Sequence, residues 1–295
     1  VAGTGAGPGA AGAAAPVEVS LLVAGSCTHP ERLTRRGAPW RPAEFPALVA
    51  VIRHPVHGVV LFDTGYGPRF FAETSRFPAS LHARITPVRC PPGDTAAEQL
   101  ERAGIATAQV RTVVLSHLHA DHAAGARDFP AARFVYSHRA GAGLAGGRLA
   151  TLRRGVLPGL LPEDLARRTT YVEDLPRAGA AGAPAPLDPG YDLTGDGTIT
   201  AVPLPGHQAG HLGLYVRARG AEVLLVGDAA WSTRAITHLE PPHVAARLVT
   251  HDWAGYRATL RALHRLQEER PDLVVVPSHC PDAIERARRA LGAAS

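Results

Sequence analysis

The chain has no methionine, no lysine and only three cysteines in 295 residues. Each shortage excludes something. Because methionine is missing even at position 1, the chain is expected to begin at a trimmed or processed start, which weakens any inference of location from that end. A cytoplasmic location is the first expectation, with a secreted or periplasmic one left open. Arginine supplies all the positive charge, in scattered positions, and the net charge is only +5. That balance describes a solvated surface better than a nucleic-acid face, so no nucleic-acid partner is expected, while an anionic substrate stays open. Cys27, Cys90 and Cys280 lie far apart with no C-x-x-C spacing, which argues against a disulfide scaffold and suits a reducing compartment. No apolar run reaches the ~18 residues of a spanning helix, so no membrane partner is expected.

What is present can build a sizeable core: 45% of residues are hydrophobic and 19% charged, at a length that suits one large domain or two small ones. Residues 1–16 are almost all Gly, Ala and Pro and read as a flexible tail or the remains of a leader. Strands are expected at Val17–Val23, at Leu48–Ile52 and Val59–Phe62 as a hairpin, and at Val110–Leu115 and Arg133–Tyr136. In the second half they fall at Thr198–Leu204, Leu212–Arg217, Glu222–Val226 and Leu273–Val276. Helices are expected at Thr95–Ala103, stopped by Gly104, at Trp253–Glu269, where Tyr256, Leu260, Leu263 and Leu266 recur at helical spacing, and at Asp282–Leu291. Tyr66–Pro92 is long, aromatic and proline-containing, and part of it is expected to cover the functional site as a loop.

The most informative stretch is Ser116-His117-Leu118-His119-Ala120-Asp121-His122, directly after the Val110–Leu115 strand. Imidazole and carboxylate are ligand types for zinc and similar divalent ions. In an extended loop His117 and His119 point to one side while Asp121 and His122 turn toward a second position, so one short loop can serve two adjacent ions. Cys280 follows His279 directly and either lies near the site or is a small buried thiol.

H-x-H-x-D-H after a strand resembles the metallo-β-lactamase superfamily. Four further segments carry the resemblance in the family's order: Asp63-Thr64-Gly65, Pro205-Gly206-His207-Gln208-Ala209-Gly210-His211, the strand ending at Gly227-Asp228, and the strand ending at Ser278-His279. The resemblance implies an α+β fold, the four-layer αββα sandwich, over a catalytic domain at 17–295. It implies one metal on His117, His119 and His207, a second on Asp121, His122 and His279, and Asp228 between them. Two divalent ions follow, zinc first, with iron, manganese or cobalt admitted by the nitrogen and oxygen donors. Asp63 is expected to orient a ligand histidine through its free ring N–H, and His211 to stand behind the ligands.

The implied activity is hydrolysis of a small ester-like substrate by a metal-bridging hydroxide, a lactone or carboxylic ester first, with Asp121 passing a proton to the leaving group. Thioesters and β-lactams are the alternatives within that chemistry. A phosphodiesterase or nuclease, disfavoured by the missing cap insertion, and a metal-stabilised binding module are alternatives of other classes. Quorum-signal lactonases of this superfamily carry a tyrosine three residues after the bridging aspartate; here that position is Trp231, whose indole N–H donates but does not act as an acid. Tyr66, Phe70 and Trp231 are expected to line the substrate pocket; the missing tyrosine either weighs against a lactone substrate or passes its role elsewhere, with Tyr66, Arg234 and His251 as the candidates. Oligomeric state is not readable from the sequence.

Overall fold

The computed structural model describes residues 17–292, so the Gly/Ala/Pro-rich stretch read as a tail lies outside the described residues. Seven strands form the larger sheet: β1 (Glu18–Pro30), β2 (Pro42–His54), β3 (Gly58–Phe62), β4 (Val88–Arg89), β5 (Val110–Val114), β6 (Arg133–Tyr136) and β7 (Thr169–Tyr171). Their order is β4-β1-β2-β3-β5-β6-β7. The β4-to-β3 part is antiparallel, and β3, β5, β6 and β7 run parallel. Five strands form the second sheet: β8 (Tyr191–Asp192), β9 (Ile199–Pro203), β10 (Leu212–Ala218), β11 (Ala221–Gly227) and β12 (Val274–Pro277), in the order β12-β11-β10-β9-β8.

The period of two sorts side chains into layers. Leu48, Ala50 and Ile52 of β2 and Val114 of β5 face the second sheet, where Leu212, Leu214, Val223 and Leu225 meet them. The alternate residues Val49, Val51 and Val113 face outward onto Leu100 of the helix Ala96–Arg102 and onto Phe129 and Leu165. On the far side of the second sheet, Leu224 and Val226 pack under Tyr256, Leu260, Leu263 and Leu266 of the helix Trp253–Glu269. The central strands are buried on both faces, and they therefore read as continuous apolar runs. Helix, sheet, sheet and helix give the αββα sandwich.

Local chemistry explains the element ends. Thr95 caps its helix by a reciprocal pair with Glu98. Asp252 caps the long helix by accepting the Ala254 and Gly255 amides at 3.0 Å each.

Two expectations need correction. The first strand does not stop at Val23. It runs to Pro30, pairing with β2 as far as Pro30 opposite Pro42, with a register shift between Val23 and Ser26. Its second half lacks apolar alternation and is held by the partner strand rather than by propensity. Tyr66–Pro92 is not one loop: it holds the helices Pro68–Glu73 and Ala79–Ile85 and the short β4. Among the described residues, no helix is long and apolar enough to cross a membrane.

Candidate metal centre

Parallel pairing of β5 with β3 and β6 carries the chain to the strand ends, where the histidine-rich loop leaves the sheet. Asp63 and Thr64, at the end of β3, hold that loop. The Asp63 amide donates to the Val114 carbonyl at 2.8 Å, and the Thr64 amide and hydroxyl both donate to the His122 carbonyl, at 2.8 and 2.9 Å. His119 is extended (φ −70°, ψ 159°) and the helical turn Ala120–Ala123 follows at once. That change of conformation separates the directions of His117 and His119 from those of Asp121 and His122.

The second sheet delivers the other residues. His207 follows β9 through Gly206, whose φ of +138° suits glycine and whose added Cβ would lie 2.3 Å from the Tyr256 backbone. Asp228 directly follows β11, and His279 comes just after β12. Two groups of donors result: His117, His119 and His207, and Asp121, His122, Asp228 and His279, with the donor atoms of each group within 4.8 Å of one another. The Asp228 carboxylate reaches both. Its Oδ1 lies 3.0 Å from His279 Nε2 and 3.3 Å from His122 Nε2, and its Oδ2 lies 3.2 Å from His207 Nε2.

The outward ring nitrogens fix which nitrogen faces inward. His119 Nε2–H donates to the Arg154 carbonyl at 3.1 Å, and His279 Nδ1–H to the Pro46 carbonyl at 2.7 Å. His122 Nδ1–H donates to Asp63 Oδ2 at 2.7 Å. Carbonyls and carboxylates only accept, so the neutral tautomers turn lone pairs inward at His119 Nδ1, His279 Nε2 and His122 Nε2. Asp63 also accepts the Ser116 amide at 2.7 Å and the Ser116 hydroxyl at 2.8 Å. His211 stands behind: its Nε2 accepts the Asp228 amide at 3.0 Å and does not enter either donor group.

These residues fit a cation. His119 Nδ1 sits 3.0 Å from His117 Nε2 and 3.1 Å from His207 Nε2. Zinc–nitrogen bonds of ~2.0–2.1 Å put tetrahedral neighbours about 3.3 Å apart, close to that spacing. His122 Nε2 and Asp228 Oδ1 are buried and form no hydrogen bond despite their proximity, and buried polar atoms ordinarily have a partner.

Electrostatics divide the histidines. Burial drives His117 and His207 well below the usual imidazole range and His211 down to about 3, so all three are neutral. Burial also opposes charge on Asp121 and Asp228, but His122 and His279 outweigh it and hold both carboxyls well below their usual range. The same carboxylates, against burial, raise His122 and His279. Asp63 is pushed up by its complete burial, with His122 and Ser116 pulling the other way.

The expected pocket residues divide. Phe70 is wholly buried and Tyr66 is 2% exposed, their rings 5.3 Å apart. Each is drawn inward with Ala120, Ala124 and Leu157 into a small apolar cluster. Trp231 is half-buried beside His207, and its indole N–H donates to Asp228 Oδ2 at 3.1 Å. Arg234 is committed to Glu240 at 2.8 Å. His251 is exposed, and its amide donates to the His207 carbonyl. Cys280 packs in the inter-sheet core with Ala283 and Ile284, so the buried-thiol reading holds.

Sequence reasoning missed Cys27 and Gln208. Cys27, on the extended half of β1, is hydrogen-bonded to Tyr66, and burial pushes its thiol up to about 11. Gln208 accepts the Leu118 amide at 2.9 Å and donates to the Arg154 carbonyl at 3.3 Å, tying together the loops that carry His119 and His207. Its place inside the P-G-H-x-x-G-H segment was the available signal.

Known proteins share this arrangement of chain. Residues 43–279 match the sequence model of the metallo-beta-lactamase superfamily. A "probable metallo-hydrolase" of Mycobacterium tuberculosis is 31% identical over 246 residues, covering 78% of this chain and 74% of that protein. The N-acyl homoserine lactonase AttM of Azorhizobium caulinodans is 31% identical over 199 residues, covering 66% and 67%. A solved N-acyl homoserine lactone hydrolase, with N-hexanoyl-L-homoserine bound at its catalytic metal center, is 17% identical with a TM-score of 0.71, covering 92% of this chain and 97% of that one, and shares the fold.

Proposed function

The chain is a metal-dependent hydrolase of the metallo-beta-lactamase superfamily, and on that premise we propose that it opens lactones at a two-metal centre. The observation that carries the reading is the Asp228 carboxylate, one oxygen facing each donor group. His117, His119 and His207 would hold one divalent ion, and Asp121, His122 and His279 the other, with Asp228 between. Zinc suits the donors, and iron, manganese and cobalt are admitted by the same set. Such a pair supplies, when bound, an acidified water and positive charge opposite a developing oxyanion.

The chain's own residues supply the rest. The outward hydrogen bonds of His119, His122 and His279 hold their rings in one tautomer and orientation. The Asp121 side chain is 17% exposed against 6% for Asp228, so it is the acid that a substrate reaches. Held ionised, Asp121 takes up a proton and returns it to the alkoxide released when the acyl C–O bond breaks, giving the hydroxy acid. Trp231 keeps Asp228 oriented through its N–H, which leaves no tyrosine-like acid at that position.

The relatives that are named lactonases support the substrate class, and the small-molecule site needs no macromolecular partner. The test follows acid release with a pH indicator as metal-loaded protein meets an acyl-homoserine lactone, with and without chelator. Chelator-sensitive release is expected. No release from protein verified to hold two metal ions overturns the lactone reading, and turnover of thioesters or β-lactams under the same conditions would replace it.

A further inference from the structure

The segments 66–90 and 141–161 meet around a cavity of about 480 Å³ whose lining includes Pro78, Ala79, Leu144, Leu152 and Leu157. From the same two segments project Phe71, Phe77, Leu81, Ile85 and Leu149, exposed by 43–81%. Among the described residues these are five of the eleven large apolar side chains that are exposed, and all five lie on the two segments that meet at the cavity. Leu81 and Ile85, four apart on the helix Ala79–Ile85, share a face, and Phe77 stands at the turn just before it.

The charge of this face is one-sided. Arg76, Arg84, Arg148 and Arg153 are exposed, and none has an ion-pair partner among the described residues. Glu73 is the single acid in 66–90, and 141–161 has none. The other exposed apolar stretch, around Leu239, Val244, Leu248 and Val249, lies beside the Arg234–Glu240 pair and carries no such excess.

We propose that this face docks the protein onto an anionic lipid surface, through apolar side chains that enter the headgroup region and arginines that meet lipid phosphates. A second copy of the chain is a poor occupant, because a two-fold contact would set these unpaired arginines against each other. The apolar groups project from a short helix and a turn instead of lining a groove, which fits insertion into lipid better than capture of an acidic peptide. No spanning helix is required, so the proposal is compatible with the absence of long apolar runs.

The test is flotation of the full chain with phosphatidylcholine vesicles and with vesicles carrying one part in three phosphatidylglycerol, at low salt. Binding to the anionic vesicles at least tenfold tighter than to the neutral ones is expected, with loss of that preference in high salt. Each arginine near the surface contributes about fivefold, so R76E/R84E should lose at least twentyfold. F77S/I85S should lose a similar factor, with secondary structure and melting unchanged because both side chains are exposed. Equal binding to neutral and anionic vesicles, variants that bind like the parent, or light scattering that shows a dimer dissolved by F77S/I85S would each overturn the proposal.

Discussion

Asp63→Asn is the substitution that tests the proposed centre most directly, because it changes one acceptor and no shape. Asn tolerates the left-handed backbone that Asp63 adopts, with φ of +62°. Its amide oxygen can keep the Ser116 amide, but its NH2 must then face His122 Nδ1 in place of the carboxylate oxygen 2.7 Å away. Two donors cannot share that contact, so His122 switches tautomer: Nδ1 accepts and Nε2 carries the proton. That proton points at Asp121 and Asp228, which lie 3.5 and 3.3 Å from Nε2, and removes the inward lone pair. Loss of an outer partner of a ligand histidine typically costs 10–100-fold in metal affinity, or about 1.4–2.8 kcal/mol. The assay is metal content after equilibration against a buffered zinc series. One ion per chain should be retained near parental affinity and the other weakened by that factor, while the melting temperature of chelated protein moves little. Two ions held at parental affinity would refute both the orienting role of Asp63 and the tautomer argument.

Other outcomes follow from the same geometry. Chelation of the loaded protein should abolish hydrolysis and lower the melting temperature. Each ion held at a thousand times its dissociation constant adds about 4 kcal/mol, roughly 8–16 °C for a chain of this size, and scanning calorimetry reads it directly. Gly155→Ala places a Cβ 2.7 Å from the His119 ring at a φ of +72°, so calorimetry should show destabilisation of about 1–3 kcal/mol, with weaker metal uptake. Trp231→Phe removes the N–H that Asp228 accepts at 3.1 Å, and kcat should fall about tenfold with KM little changed; equal kcat would show that the indole only packs. Leu263→Ala, in the fully buried face of the long helix, should cost about 2–5 kcal/mol in urea denaturation and leave metal content intact.

Much of this molecule is legible from its sequence because burial and pattern coincide. Trp253–Glu269 is bounded as its apolar spacing indicates, and Arg133–Tyr136 as its apolar run indicates. The histidine-rich loop is legible because donors of one chemistry are packed into a few positions after a strand. The second half of β1 is not, since Gly25-Ser26-Cys27-Thr28-His29-Pro30 has no alternation and owes its extension to β2. That extension brings Cys27 to Tyr66, while Cys280, the neighbour of His279 in sequence, turns into the core. Adjacency in sequence does not set side-chain direction across the end of a strand. The short helices of 66–90 escape notice because neither has a side-chain cap and both rest on tertiary contacts.

The donor groups draw on both sheets, and that has a kinetic consequence. His117, His119, Asp121 and His122 lie on the first sheet's loop, whereas His207, Asp228 and His279 arrive only when the second sheet has formed and docked. Contacts so distant along the chain form late and slowly. A nascent or partly folded chain therefore offers a metal only fragments of a site, and tight capture waits for the sheets to close. A bound ion would then act as a staple across the seam, slowing the reopening of the sandwich more than it speeds its formation.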